Sequence, residues 1–196
     1  MLFNLCFPIM SLVSYGMKIA AIVGMAGAGK SEVSRLFVKH GFARIRFGDV
    51  TDEEIKRQGL ELNEANERSV RERLRQEHGM AAYAKLNLPR INSVIKDSNV
   101  VIDGLYSWEE YLFLKDHYRD GIHIVAVWTS PGMRYERLMV RSERKLTLEE
   151  AISRDRGEID NLNKGGPIAL ADFTIINDSS LDKLGHQTKQ IITELG

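Results

Sequence analysis

The chain of 196 residues has little cysteine and no net charge. Its one cysteine, Cys6, excludes an intramolecular disulfide framework and any metal site built from several cysteines. This cysteine usage indicates a reducing, cytoplasmic setting. The 27 Lys and Arg residues balance 27 Asp and Glu residues. We therefore expect neither nucleic acid nor a membrane as partner, because proteins that bind either with their whole surface are normally basic.

Long apolar runs are also missing. Residues 1–16 carry no charge, but they are fewer than the roughly 20 residues of a membrane span. They also lack the basic start and the small-residue cleavage site of a signal peptide. Because Met17 begins a strand-like run, we expect it to be the functional start, with residues 1–16 as an N-terminal extension. A short peripheral or oligomerisation segment is the alternative for these residues.

Residues 17–196 alternate between short apolar runs and helical patterns, and we expect them to form one domain. Strands are predicted at 18–23, 43–47, 99–103, 122–128 and 172–176. Helices are predicted from Ser31, at 108–117, from Pro131 and at 180–195, and residues 52–97 read as helical with breaks at Gly59, Gly79 and Pro89. The alternation predicts a three-layer α/β protein whose parallel sheet is covered on both faces.

One motif is specific: residues 24–31, GMAGAGKS, match G-x-x-x-x-G-K-[ST] between an apolar strand and an amphipathic helix. Such glycines let the backbone wrap closely around phosphates, and the helix N-terminus adds positive charge. We expect Lys30 to reach the β- and γ-phosphates of ATP and the Ser31 hydroxyl to bind Mg²⁺. The alternative is a glycine-rich turn that binds nothing. The candidate nucleotide-binding residues are Gly24, Ala26, Gly27, Ala28, Gly29, Lys30, Ser31 and Glu32.

Two acidic residues follow predicted strands, at the edge where parallel sheets bind nucleotides. Asp103 ends the run NVVID and resembles a Walker B acid, which holds Mg²⁺ directly or through water. Its alternative role is to cap the loop after the strand. Asp49 is a candidate to orient the acceptor or to accept a proton from its hydroxyl. Its alternative role is an N-cap or turn residue before the helix at 52.

Arginines form a row with spacings of 3, 4 and 3 residues: Arg134, Arg137, Arg141 and Arg144. This spacing predicts one helical face that runs into the polar segment 141–166. We interpret the segment as a mobile lid over the nucleotide. Arg137, Arg141 and Arg144 are its catalytic candidates, because guanidinium groups stabilise a phosphoryl group in transfer. A solvated charged face is the alternative.

A second row consists of Arg68, Arg71 and Arg75. We expect these arginines to hold a phosphate of the acceptor. The alternative is a set of surface ion pairs, because Glu64 and Glu67 stand four residues before Arg68 and Arg71 in the favourable orientation.

The segments GMAGAGKSE, RYERLMVRS, TLEEAISRD and ALADFTIINDSSL, with Asp103-Gly104, together resemble the nucleoside-monophosphate-kinase-like branch of P-loop proteins. The resemblance spans residues 17–195 and points to dephospho-CoA-kinase-like and adenylate-kinase-like small kinases, including an archaeal-type set. It implies a five-stranded parallel sheet in the order 2-3-1-4-5. It also implies that residues 52–97 form an acceptor-binding helical insertion and that residues 141–166 form an arginine-bearing lid.

The resemblance further implies an activity. In it, Mg²⁺-dependent transfer moves the γ-phosphoryl group of ATP to a small nucleotide-like acceptor, such as a nucleoside monophosphate or dephospho-CoA. Asn177 and Asp178 fall in the adenine-side loop, and Asp49 falls on the acceptor side. The alternative function is a P-loop ATPase or GTPase switch, in which the nucleotide sets the state of residues 52–97 for a protein partner.

Overall fold

The computed structural model describes residues 16–142 and 144–196. Of the expected N-terminal extension, residues 1–16, only Gly16 falls inside these ranges. The role expected for Met17 as the functional start therefore remains a prediction.

Five parallel strands form one sheet in the order β2-β3-β1-β4-β5. The strands are β1 (Ile19–Val23), β2 (Ala43–Arg46), β3 (Val100–Asp103), β4 (Ile122–Trp128) and β5 (Phe173–Ile176). The order and the fold class agree with the expectation from the sequence. Strands of a covered parallel sheet are buried on both faces, which explains why β1 and β3 are continuous apolar runs.

Helices follow most strands. They are α1 (Lys30–Lys39), α2 (Asp49–Arg57), α3 (Glu64–His78), α4 (Ala82–Val94), α5 (Trp108–Tyr118), α6 (Pro131–Met139), α7 (Leu148–Asp160), α8 (Gly165–Ala169) and α9 (Leu181–Leu195). A short 3₁₀ turn, Arg119–Gly121, separates α5 from β4. Across residues 16–142 and 144–196, the helices are all too short or too polar to cross a membrane.

The core lies on both faces of the sheet, as β1 illustrates. Ile19, Ala21 and Val23 face a large apolar cluster that includes Tyr83 of α4. The alternate residues, such as Ile22, face a second cluster with α1 and α9. Successive side chains of a strand point to opposite faces, so this strand contributes to both clusters. The carboxyl end of β1 is therefore held by core packing on both faces of the sheet.

The prediction that Pro89 breaks the helical segment is wrong. Helix α4 runs through Pro89 without interruption. Proline removes one backbone hydrogen bond and crowds the carbonyl four residues earlier, here that of Lys85. Both Pro89 and Lys85 are exposed, so water can satisfy that carbonyl and the helix continues.

The prediction of a four-arginine row on one helical face is also wrong. Helix α6 ends at Met139, so it carries Arg134 and Arg137 but neither Arg141 nor Arg144. Arg144 has a φ angle of 53°, in the left-handed region, which no α-helix contains. The two pairs of arginines therefore reach different parts of the molecule.

A buried carboxyl group supports the start of α5. The Ser107 hydroxyl accepts from the Glu110 backbone N–H at 3.1 Å, and Glu110 Oε2 accepts from the Tyr106 backbone N–H at 2.8 Å. Glu110 is fully buried, and its Oε1 has no hydrogen-bond partner among the described residues. Burial raises the pKa of this carboxyl to about 7. The backbone groups of Tyr106 and Ser107 and the charge of Arg75 oppose the rise.

This raised pKa predicts a pH-dependent stability. Folded Glu110 holds its proton more tightly than the unfolded chain does, whose ordinary pKa is 4.5. The free energy of unfolding should therefore fall as pH rises from about 4.5 to about 7, by on the order of 3 kcal/mol. Glu110→Gln keeps an oxygen acceptor and should remove that fall. Urea denaturation of both proteins across this range measures it, and parallel curves would contradict the prediction.

Candidate active site

The loop between β1 and α1, residues 24–29, has no room for side chains at its glycines. Gly27 has a φ angle of 80°, and a β-carbon there would lie 2.7 Å from the Arg134 carbonyl oxygen. Gly29 has a φ angle of 100°, and a β-carbon there would overlap the Asn177 amide. Only glycine combines these backbone angles with such close contacts. The arrangement suits a loop that wraps phosphates, and the N-terminus of α1, which follows it, carries the partial positive charge of a helix start.

Lys30, the first residue of α1, lies across the mouth of the loop. Its Nζ donates to the carbonyl oxygens of Gly24 at 2.8 Å and Met25 at 3.0 Å. Ser31 is exposed beside it. Glu32 forms an ion pair with Arg35 of the same helix.

Several charges converge on Lys30. Its pKa is lowered to about 7, first by burial and then by the charges of Lys164 and Arg154, while Glu158 and Asp103 oppose the shift. Lys164 and Arg154 belong to the segment 141–166, which the sequence predicts to be a lid, so this segment carries the cations that act on Lys30. Clustered cations are typical of a site for a polyanion such as a nucleotide phosphate chain.

Asn177 and Thr129 fasten the far side of the loop. The Asn177 Nδ2 and the Thr129 Oγ1 donate to the Ala28 carbonyl oxygen at 2.9 and 3.1 Å. Arg137 in turn donates to the Asn177 carbonyl oxygen at 3.1 Å. Asp178 is exposed and lies 3.5 Å from the Lys183 ammonium. Arg137 and Asn177 thus form a brace at the carboxyl end of β5.

A buried ion pair joins the loop to the lid. Arg134 Nη1 donates to the Ala26 carbonyl oxygen at 3.0 Å, and the same guanidinium holds Asp155 of α7 through two bonds of 2.9 and 2.6 Å. Asp155, Glu158 and Lys164 were not among the site residues predicted from the sequence. The signal it contained was weak: Asp155 and Glu158 stand three residues apart, on one face of α7.

Oxygen donors of the kind that Mg²⁺ prefers stand near the loop. Asp103 ends β3 and is almost fully buried, with Oδ2 bonded to Arg44 of β2. No bond within the described residues engages its Oδ1. Ser31 adds a hydroxyl at the start of α1, so the donor set of hydroxyl and carboxylate fits a hard cation. Within residues 16–142 and 144–196, no cluster of three or more His, Cys, Asp and Glu side chains could hold a metal alone.

Asp49 opens α2, three residues earlier than the predicted start at 52. Its half-exposed carboxylate accepts from Arg46 Nη1 at 2.7 Å, and Asp52 accepts from the same nitrogen at 2.6 Å. Arg144 reaches Asp52 at 3.6 Å and the buried Glu67 of α3 at 2.7 Å. These ion pairs bring Asp49 and Arg144 into one network, which connects the lid segment to helices α2 and α3.

The three arginines of the second row have different surroundings. Arg68 is exposed and bonds to Glu72, and Arg71 bonds to two glutamates of its own helix. Arg75 lies with its Cζ 5.3 Å from the centroid of the Tyr83 ring. Its Nε is buried and has no hydrogen-bond partner among the described residues. Arg75 is therefore the member of the row that is best placed to bind a ligand.

Arg141 lies among other cations. Burial and the charges of Arg154 and Arg144 lower the pKa of its guanidinium. The charge of Arg154 thus lowers the pKa of both Arg141 and Lys30. Arg137 instead donates to the carbonyl oxygen of Asn177, at the carboxyl end of β5.

Residues 21–158 match a protein-family model described as an AAA domain. A UPF0200 protein of Thermococcus kodakarensis is 37% identical over 181 residues, which cover 90% of this chain and 97% of that protein. A UPF0200 protein of Sulfurisphaera tokodaii is 33% identical over 181 residues, which cover 91% of this chain and 97% of that protein.

Solved structures share the fold. TT1252 from Thermus thermophilus superposes with a TM-score of 0.63 at 23% identity, covering 92% of this chain and 98% of that one. Shikimate kinase from Bacteroides thetaiotaomicron gives 0.60 at 15% identity, with coverages of 91% and 98%. Dephospho-CoA kinase from Campylobacter jejuni gives 0.53 at 15% identity, with coverages of 92% and 98%. The expected resemblance to P-loop small kinases is confirmed for the fold.

The pair Arg134–Asp155 predicts a large effect on stability. Arg134→Ala leaves a buried carboxylate without its partner, and it removes the donor to the Ala26 carbonyl oxygen. The free energy of unfolding should fall by about 3–5 kcal/mol, measured by urea denaturation. Arg156→Ala, an exposed change on the same helix α7, is the control and should shift it by less than about 0.5 kcal/mol. A loss below about 1 kcal/mol in Arg134→Ala would show that the pair does not join loop and lid.

Proposed function

We propose that this chain, which belongs to the UPF0200 family, is an ATP-dependent kinase that phosphorylates a small, nucleotide-like acceptor. The observation that carries the proposal is the phosphate loop with Lys30 at its mouth, surrounded by cations from the lid segment. Cations on both sides of a phosphate chain stabilise charge on a phosphoryl group in transfer. The kinases among the solved neighbours support a phosphotransferase of small molecules.

In this proposal, loop residues 24–31 bind the phosphates of ATP through backbone N–H groups, and Lys30 contacts the β- and γ-phosphates. Ser31 and Asp103 would hold Mg²⁺, which when bound neutralises charge on the β- and γ-phosphates. Asn177 and Arg137 position the loop through the Ala28 carbonyl oxygen and the end of β5.

The acceptor attacks on the side of β2, through a hydroxyl in dephospho-CoA or through a phosphate oxygen in a nucleoside monophosphate. The attacking oxygen forms a bond to the γ-phosphorus while the bond from that phosphorus to the β,γ-bridging oxygen breaks, so ADP leaves with the electron pair. Where the attacking group is a hydroxyl, its proton passes to the carboxylate of Asp49, which Arg46 orients. Arg141 stabilises the moving group from the lid, and Arg144 holds the lid segment to α2 and α3.

The proposed acceptor carries an anionic group, such as the phosphate of a nucleoside monophosphate or of dephospho-CoA. Arg75 is the residue that we assign to this group, because its guanidinium has a buried Nε free to donate and a ring of Tyr83 beneath it. An arginine suits this task, since its planar fork matches phosphate oxygens. Arg68 and Arg71 are engaged by glutamates of α3 instead.

The reaction itself can be tested by ATP consumption with a panel of nucleoside monophosphates, nucleosides and dephospho-CoA. We expect turnover that depends on one acceptor class, and Lys30→Ala should lower kcat by at least about 100-fold. Lys39→Ala, an exposed change at the end of α1, should leave kcat unchanged. Slow hydrolysis that is indifferent to every acceptor would contradict the kinase proposal and favour a nucleotide-dependent switch.

The acceptor site can be tested with two arginines of α3. Arg75→Ala removes the unpaired guanidinium and should raise the KM for the acceptor by about 10- to 100-fold, with the KM for ATP unchanged. Arg68→Ala, seven residues earlier on the same helix, should change neither constant. Equal effects of the two substitutions, measured by steady-state kinetics, would remove Arg75 from the acceptor site.

A further inference from the structure

Lys164, the residue before helix α8, is buried although it carries a charge. Its side chain is 1% exposed, and its Nζ donates to Glu158 Oε2 at 2.9 Å. The same ammonium lies 5.5 Å from the centroid of the Tyr106 ring. An ammonium has three N–H donors, and Glu158 takes one of them within the described residues. A buried ammonium with donors to spare is suited to bind an anion.

Lys164 shares its carboxylate partner with another cation. Glu158 also lies 3.4 Å from Arg154 Nε, so two cations share one carboxylate within the described residues. Asp155 stands one turn earlier on α7, and its partner Arg134 donates to a carbonyl oxygen of the loop, so the pair Lys164–Glu158 lies close to the loop. Like charges gathered away from water repel each other strongly, and the γ-phosphoryl group of a nucleotide would supply the missing negative charge.

The backbone around Lys164 is fixed to α5. A β-carbon at Gly166 would lie 2.6 Å from Cε3 of Trp108, so α8 packs directly on that ring. The Trp108 backbone N–H donates to the Leu162 carbonyl oxygen at 3.0 Å. Residues on both sides of Lys164 are therefore held in place. A charged group on a rigid support needs little rearrangement when its ligand arrives.

We propose that Lys164 is a further catalytic residue, which donates to an oxygen of the γ-phosphoryl group as that group is transferred. This inference rests on the proposed kinase function. Glu158 holds the ammonium beside the loop before the nucleotide binds, and the γ-phosphoryl oxygen accepts from a donor that Glu158 does not use. Negative charge spreads over the non-bridging oxygens during transfer, so an ammonium fixed there lowers the barrier.

The test compares two nucleotides that differ by the γ-phosphoryl group: ADP and an ATP analogue with a methylene group between the β- and γ-phosphorus atoms. Lys164→Met has a similar volume and no charge. It should raise the Kd of the analogue about tenfold or more relative to the Kd of ADP, measured by calorimetry. With a functional acceptor, kcat should fall by at least about 100-fold. Lys189→Met, an exposed change on α9, is the matched control and should alter neither value.

Two further variants separate contact with the nucleotide from a structural role. Lys164→Arg keeps a cation and should restore part of the preference for the analogue over ADP. Glu158→Gln keeps Lys164 and should retain the whole preference. If Lys164→Met fails to fold, these two variants decide the question.

Three results would overturn the inference: equal weakening of both nucleotides by Lys164→Met, no weakening of either, or loss of the preference in Glu158→Gln. The last of these would mean that Lys164 and Glu158 act only as a structural pair. The ratio of the two Kd values requires no acceptor, so it still reports on Lys164 if the acceptor panel gives no turnover. Failure of this inference is thereby distinguishable from failure of the proposed function.

Discussion

A loop that turns its N–H groups toward phosphates turns its carbonyl oxygens toward the protein, and each of these oxygens needs a donor. In this chain the donors to residues 24–28 come from four places: Lys30 of α1, Thr129 after β4, Arg134 of α6 and Asn177 after β5. None of them is a neighbour of the others in sequence. The requirement for donors therefore joins the carboxyl ends of three strands into one support around the loop.

The same requirement extends to the lid. Arg134 donates to the Ala26 carbonyl oxygen of the loop and forms an ion pair with Asp155. Helix α7, which carries Asp155, is therefore held against the loop. One turn further along α7, Glu158 holds Lys164. The pair Arg134–Asp155, which supplies a donor to the loop carbonyl, therefore also positions Glu158 and Lys164 relative to the loop. Polar contacts thus join the loop to the predicted lid segment, and two cations of that segment, 124 and 134 residues away in sequence, help to lower the pKa of Lys30.

The sequence predicted the fold well because its signals are local. Apolar runs, a glycine loop and alternating helices are each visible within about 20 residues, and the strand order followed from the resemblance. Where prediction failed, the folded context decided. Helix α4 continues through Pro89 because Lys85, whose carbonyl receives no N–H from proline, is exposed to water, and the arginine row divides because α6 ends at Met139. The roles of Asp155 and Lys164 depend on partners that meet only in the folded chain, so the local pattern indicates Asp155 weakly and Lys164 not at all.

The spacing of the arginines in the sequence does not show which of them form an ion pair with a carboxylate and which can bind a ligand. Arg68 and Arg75 lie on the same helix and in the same row of arginines. Within the described residues, a glutamate forms an ion pair with Arg68 but not with Arg75. An acceptor anion would displace no carboxylate at Arg75, whereas at Arg144 it would compete with Asp52 and the buried Glu67. Because that competition costs free energy, Arg75 should be the first contact of the acceptor. In the proposed reaction, the acceptor would reach Arg144 only if segment 141–166 moves and Arg144 leaves Asp52 and Glu67.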